Sequence, residues 1–176
     1  MIADEALQRA RAVRLAIFDV DGVMTDGCVF MGPRGEALKA FNILDGHGVK
    51  MLQAAGIATA IISGRTSKMV ALRAKELAIR HVKQGVKDKL DAFEKLIARL
   101  GVEARACAFM GDDLADLAVM RRCGFAVSVP NGVEAVRSAA HYVTRAGGGQ
   151  GAVREFCELV LRARGELGTA EARTPA

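Results

Sequence analysis

The sequence predicts an α/β fold, and three observations carry that prediction. Short apolar runs alternate with helix-like segments along the chain. The runs are continuously apolar, so each strand expects cover on both faces, as in a parallel sheet between helix layers. Acidic or hydroxyl-bearing turns follow several runs directly, and open α/β sheets bind ligands at the carboxyl ends of their strands. Together these describe a three-layer, Rossmann-like parallel sheet with helices on both faces. A protruding β-hairpin is added, and no second domain is inserted.

Taken in order, strands are expected at Arg14–Val20, Ala58–Ser63, Ala106–Met110, Ala126–Val129 and His141–Val143, with a further short strand between Ser63 and Lys89. Helical spacing of apolar residues marks Asp45–Ala55, Ser67–Leu77, Lys87–Leu100, Leu114–Arg122, Val133–Ala139 and Ala152–Arg164. Gly56, Gly101 and Gly124 follow helical segments, where C-cap glycines belong. One segment breaks the rhythm. Cys28 to Met31, then Gly32-Pro33-Arg34-Gly35, then Glu36 to Phe41 reads as a hairpin around a Gly/Pro turn. Its exposed edges invite cover from a partner. Residues 1–165 form the expected single domain; residues 166–176, small and unpatterned, are expected to form a flexible tail.

Composition narrows the function. The chain has 176 residues, 51% hydrophobic and 26% charged, enough for one full core. No apolar run reaches the roughly 20 residues of a bilayer span, and the first fourteen residues lack a signal-peptide stretch. The expected compartment is the cytosol. Cys28, Cys107, Cys123 and Cys157 form no Cys-x-x-Cys pair and read as reduced thiols. The net charge of +5 is spread along helical segments, Trp is absent and aromatics are 5%. That argues against nucleic acid and for a small anionic substrate.

The chemistry begins at Leu15-Ala16-Ile17-Phe18-Asp19-Val20-Asp21-Gly22. A buried strand runs into Asp-x-Asp-Gly, and residues i and i+2 of a strand share a side. Two adjacent carboxylates need a cation or a shared proton. They suit a hard metal such as Mg²⁺ and a carboxylate nucleophile, although two solvated turn aspartates also fit this tetrapeptide. Three more signals follow. Ser63-Gly64-Arg65-Thr66 ends a strand with a hydroxyl and free backbone N–H groups that suit a phosphate. Lys87 and Lys89 open a helix, against its dipole, which contact with an anion explains. Gly111-Asp112-Asp113-Leu114-Ala115-Asp116 holds more acids than capping needs and suggests a metal site.

The order Asp-x-Asp-Gly, Ser-Gly-Arg, Lys, Gly-Asp-Asp-x-x-Asp resembles the haloacid dehalogenase superfamily of phosphotransferases. The resemblance implies that Asp19 is the nucleophile and forms an aspartyl-phosphate. It makes Asp21 the acid that protonates the leaving oxygen and the base that then activates water, its backbone carbonyl also facing the metal. It has Ser63 hydrogen-bond the phosphoryl oxygens, Gly64 contact the substrate, Lys89 neutralise charge and Asp112 bind Mg²⁺. Asp113 and Asp116 ligate or orient from behind. Many members insert a cap domain; the short spacings from Asp21 to Ser63 and from Ser63 to Lys89 leave no room for one.

A closer likeness follows from Lys39-Ala-Phe-Asn42, Asp45-Gly46-x-Gly48, Ser63-Gly-Arg65, Tyr142-Val-Thr-Arg145 and Gly147-Gly-Gly-Gln-Gly-Ala-Val-Arg-Glu155. From about Arg14 to Gly165 the chain is similar to the 3-deoxy-D-manno-octulosonate 8-phosphate phosphatases of lipopolysaccharide biosynthesis. The likeness implies a cytoplasmic, Mg²⁺-dependent homotetramer in which hairpins pack together and a neighbour helps close each site. It assigns substrate contacts to Asn42, Ile43, Leu44, Asp45 and Gly46, and basic contacts to Lys50, Arg65, Arg73 and Lys89. The glycine-rich segment is expected to reach toward a neighbouring site, with Arg154 as its contact. Leu44 stands where that family commonly has Arg, removing a cation, and Lys50 where Arg is frequent, losing bidentate geometry.

Leu44 keeps a phosphatase for a nine-carbon sugar acid phosphate in play. A receiver-like phospho-signalling module uses similar residue types but not this motif order. A non-catalytic oligomeric binding protein would not need every charged position retained.

Overall fold

The computed structural model describes residues 3–173. Its centre is a six-stranded, all-parallel sheet in the order β5-β4-β1-β6-β7-β8. The strands are β1 (Leu15–Phe18), β4 (Ala58–Ile62), β5 (His81–Lys83), β6 (Cys107–Met110), β7 (Phe125–Ser128) and β8 (Tyr142–Val143). Between β1 and β4 lie the antiparallel hairpin of β2 (Phe30–Gly32) and β3 (Gly35–Leu38) and the helix α2 (Ile43–Ala54).

Leu15 of β1 pairs with Ala58 on one side and Cys107 on the other. The chain leaves β1 toward β4, whereas it leaves β6 toward β7. The β1 and β6 loops therefore diverge, and a crevice opens between them, as at the switch point of any doubly wound sheet.

Helices cover both faces. On one lie α1 (Asp4–Arg11), α2, α3 (Lys68–Glu76) and α7 (Ala152–Arg164), packing Ala6, Leu52, Val70 and Phe156 around Phe18. Phe18 and Phe156 meet edge to face at 5.8 Å. On the other lie α4 (Lys89–Leu100), α5 (Leu117–Arg122) and α6 (Glu134–Ala139), packing Phe93, Leu96, Val119 and Val136 around Leu15 and Ile17. Neighbouring strand residues thus serve opposite cores, the reason the strands read as unbroken apolar runs.

Three differences from the sequence expectation have simple causes. The helix α1 carries only alanines on its buried stripe, Ala6 and Ala10, so its periodicity is faint; Asp4 and Glu5 at its start and Arg9 and Arg11 at its end suit the helix dipole. The segment Leu114–Arg122 divides into a 3-10 turn at Leu114–Asp116 and then α5, because Asp113 and Asp116 form a capping box around the turn. The segment expected as a tail is helical over Leu167–Arg173 (α8), with Ala170 buried; residues 174–176 of that expectation lie outside the described residues. Among the described residues no helix is long and apolar enough to cross a membrane.

Candidate active site

The crevice at the carboxyl ends of β1, β4 and β6 is lined by Asp19, Asp21, Gly27, Ser63, Gly64, Arg65, Lys89, Asp112, Asp113 and Ala115. All four sequence motifs therefore meet in one cleft.

Asp19 continues the ladder of β1, its N–H donating to Met110 O at 2.9 Å. The next turn winds around Val20, whose carbonyl accepts from Met24 N at 2.9 Å and Thr25 N at 3.0 Å. Lys89, at the first turn of α4, is buried and donates to Asp116 Oδ1 at 2.6 Å and reaches Asp19 Oδ1 at 3.1 Å. Asp116 is fully buried and saturated: its other oxygen accepts from Asp112 N at 3.1 Å and Asp113 N at 3.2 Å. It therefore shapes the acidic loop and anchors the lysine. Asp113 is exposed and caps the 3-10 turn, accepting from Leu114 N at 2.8 Å.

One oxygen from each of Asp19, Asp112 and Asp116 lies within 4.8 Å of the other two. Burial pushes the Asp19 carboxyl up to about 6; Asp116 adds to the rise and Lys89 opposes it. Burial also pushes Asp112 up to about 7, with Asp19 and Asp116 contributing. Burial works against the charge on Lys89, but Asp19 and Asp116 outweigh it and hold its pKa above the ordinary lysine value. Three carboxylates thus face one ammonium. Asp112 Oδ1 is buried with no hydrogen-bond partner. A buried acceptor left unmatched in an anionic pocket fits a hard cation with oxygen ligands.

Asp21 points elsewhere. Its carboxylate is outside the three-aspartate group and pairs with Lys39 and with Arg65 Nε at 3.5 Å. Ser63 and Gly64 line the cleft at the end of β4; Ser63 is buried, its backbone held by Lys83 O and Val86 N.

The other expected substrate contacts do not line this cleft. Asn42 caps α2 and donates to Gly149 O at 3.3 Å. Asp45 is buried, accepting from Arg154 N at 2.8 Å. Burial raises its pKa, and the N–H groups of Arg154, Gly151 and Val153 oppose the rise. It is the cap of α7. A Cβ at Gly46 would strike Arg73 Nη2 at 2.3 Å, so this glycine makes room for packing. Arg73 donates to Asn42 O at 3.1 Å and Glu76 at 2.9 Å, 5.9 Å from the centre of the Phe41 ring. Arg154 Nε pairs with Glu158 at 2.6 Å. Ile43 and Leu44 are exposed at the start of α2, and Lys50 is half-buried farther along it.

The glycine-rich segment packs against its own chain's loop after β1. Gly149 N donates to Val23 O at 3.0 Å, and a Cβ on Gly148 would sit 1.8 Å from Gly22 O. Glycine is needed there because two backbones touch. Asn131, after β7, joins the two strips: its Nδ2 donates to Gly22 O at 2.8 Å and its Oδ1 accepts from Gly148 N at 2.8 Å. Two residues on, Val133 N donates to Asp112 O at 2.8 Å. Sequence reasoning missed Asn131, Glu36 and the role of Lys39. For Lys39 a signal existed, a lysine in the closer likeness; Asn131 sits in a Pro-Asn-Gly that reads as an ordinary turn.

A family profile of haloacid dehalogenase-like hydrolases matches residues 79–154. The 3-deoxy-D-manno-octulosonate 8-phosphate phosphatase of Yersinia pestis is 48% identical over 166 residues, 94% of this chain and 89% of that protein. The phosphatase of the same name from Escherichia coli K12 is 42% identical over 173 residues, 98% of this chain and 92% of its own. The solved structure of the Moraxella catarrhalis phosphatase, in complex with a magnesium ion, a phosphate ion and KDO, matches with a TM-score of 0.93 at 46% identity, covering 96% of this chain and 97% of that one. Identity at this level over nearly the whole of each chain places the protein among the haloacid dehalogenase-like hydrolases, as a member of the 3-deoxy-D-manno-octulosonate 8-phosphate phosphatase family.

Proposed function

We propose that this protein hydrolyses 3-deoxy-D-manno-octulosonate 8-phosphate to the sugar acid and phosphate, with Mg²⁺, through an aspartyl-phosphate on Asp19. The observation that carries this reading is Asp19 beside the unmatched Asp112 Oδ1, in a cleft whose only buried cation among the lining residues is Lys89. The relatives of the same family support the substrate.

The chain's own residues divide the work. Lys89 holds Asp19 in line and offsets charge as the nucleophile attacks phosphorus. Ser63 and the Gly64 N–H bind the equatorial oxygens, where charge builds. Asp21 gives a proton to the departing alcohol and later takes one from the attacking water. Asp19, Asp112 and the Asp21 carbonyl would hold the Mg²⁺, which when bound supplies positive charge to the transferring group. Asp113 and Asp116 orient that loop.

The cleft has no cap, so sugar recognition falls to other surfaces. Phe30, Met31 and Leu38 are exposed on the hairpin, and Ile43 and Leu44 on the start of α2. These support a homotetramer in which a neighbour supplies the missing wall, bringing Asn42, Ile43, Leu44, Arg73 and Arg154 toward a site they do not line within their own chain. The buried free thiols of Cys107, Cys123 and Cys157 support a cytoplasmic location.

Phosphate release from the eight-carbon substrate with Mg²⁺ tests the reading, with Asp19→Asn as the control. The expected loss is at least about 10³-fold; equal rates would end the covalent mechanism. A higher kcat/KM for the nine-carbon analogue would reassign the substrate, and a monomer in light scattering would remove the shared site.

A further inference from the structure

Four charged side chains close a ring beside the cleft. Lys39 Nζ bridges Asp21 and Glu36, 3.2 Å from the latter. Arg65 bridges the same two carboxylates, with Nε 3.5 Å from Asp21 and Nη2 3.4 Å from Glu36. Each cation touches both anions. The ring joins three segments: the hairpin, through Glu36 and Lys39; the loop after β1, through Asp21; and the loop after β4, through Arg65. Ser67, the cap of α3, donates its hydroxyl to Glu36 and ties the ring to that helix.

Burial makes the arrangement demanding. The Lys39 side chain has no exposed surface, and those of Glu36 and Asp21 are 13% and 19% exposed. A buried ammonium persists only where anions replace its water. Lys39 and Glu36 do not line the cleft; Asp21 and Arg65 do. The hidden half of the ring therefore sets where the visible half points. Glu36 shares Lys39 and Arg65 with Asp21, so neither cation draws the Asp21 carboxylate wholly toward the hairpin.

We propose that Glu36 and Lys39 are positioning residues for Asp21, so that the hairpin sets the geometry of proton delivery to the leaving oxygen. This rests on the phosphatase reading above. In that step Asp21 enters protonated and an Asp19 carboxylate oxygen bonds to phosphorus. The bond from phosphorus to the alcohol oxygen breaks with its electron pair on that oxygen, and the Asp21 proton moves onto it.

Leaving-group dependence tests it. The parameter kcat/KM covers steps up to departure of the alcohol. A sugar phosphate needs a proton to leave, whereas nitrophenolate departs without one. Glu36→Gln and Lys39→Met are expected to lower kcat/KM for the sugar acid phosphate by about 10- to 100-fold, acting through kcat. For p-nitrophenyl phosphate the loss is expected to be about tenfold smaller. Lys39→Arg should recover part of the loss, and Asp21→Asn/Glu36→Gln should be no worse than Asp21→Asn. Glu36→Gln and Lys39→Arg keep the test valid should Lys39→Met fail to fold. Equal losses for both esters, or none, with an active wild type would overturn the positioning role alone. A wild type inactive on both esters would overturn the phosphatase reading, and this role with it.

Discussion

Gly22 and Asp112 are in contact across the crevice: a Cβ on Gly22 would lie 2.0 Å from Asp112 Oδ2, and Gly22 holds a φ of +90°. The glycine that ends the first acidic motif thus serves the second. It turns the chain where an L-residue is strained, and it leaves the space that the opposing carboxylate fills.

Gly22→Ala should therefore displace Asp112 as well as the turn after β1. The backbone strain is worth about 1–3 kcal/mol. Activity should fall by about 10²-fold from misplacement of the acidic pair. Thermal unfolding and phosphate release, both with Mg²⁺, would check the two effects together.

The raised carboxyl pKa values predict a pH-dependent gain from metal. Asp19 at about 6 and Asp112 at about 7 both stand above the ordinary 3.8. Between pH 4 and 7 the metal-free folded state binds more protons than the unfolded chain, so its stability falls as pH rises through that window. A cation favours the ionised carboxylates and reverses the trend. The Tm difference between Mg²⁺ and EDTA should be larger at pH 8 than at pH 5, with saturating metal contributing about 3–4 kcal/mol. A difference independent of pH would contradict the acidic cluster as the metal site.

Asn131 holds the turn after β1 from behind. Asn131→Ala leaves Gly22 O and Gly148 N without their partners, which costs about 1–3 kcal/mol. A fall in kcat of about tenfold is expected, with KM little changed. Asn131→Asp keeps the acceptor for Gly148 but sets an oxygen against Gly22 O, and should lose as much. Steady-state kinetics on both variants decide this.

Among the described residues Ala78 is the one non-glycine with positive φ, +53°, directly after the C-cap of α3. Ala78→Gly should stabilise the protein by about 0.5–1 kcal/mol by removing left-handed strain. Calorimetry would show a Tm higher by about 1–4 °C.

The sheet, its two helix layers and the meeting of four motifs were readable because each depends on local pattern: apolar runs, helical spacing and acids at strand ends. What was hidden depends on distance. Asp45 looks like a polar residue at the start of α2, yet its carboxylate caps α7, and it bonds Arg154 across 109 positions. No local pattern states which helix end a carboxylate will meet. The glycine-rich segment likewise gives no local sign that its backbone lies against Gly22. Glu36 and Lys39 carry no local sign of their role because the ring that binds them closes only in three dimensions.

The strut formed by Asn131, Gly148 and Gly149 makes the C-terminal third a structural part of the cleft: Asn131 Nδ2 holds Gly22 O, and Gly149 N holds Val23 O. A chain cut at residue 120 would keep Asp19, Lys89, Asp112 and Asp116 but lose these braces from outside the first turn. Truncated polypeptides of that kind are expected to carry the reactive groups without the geometry to use them.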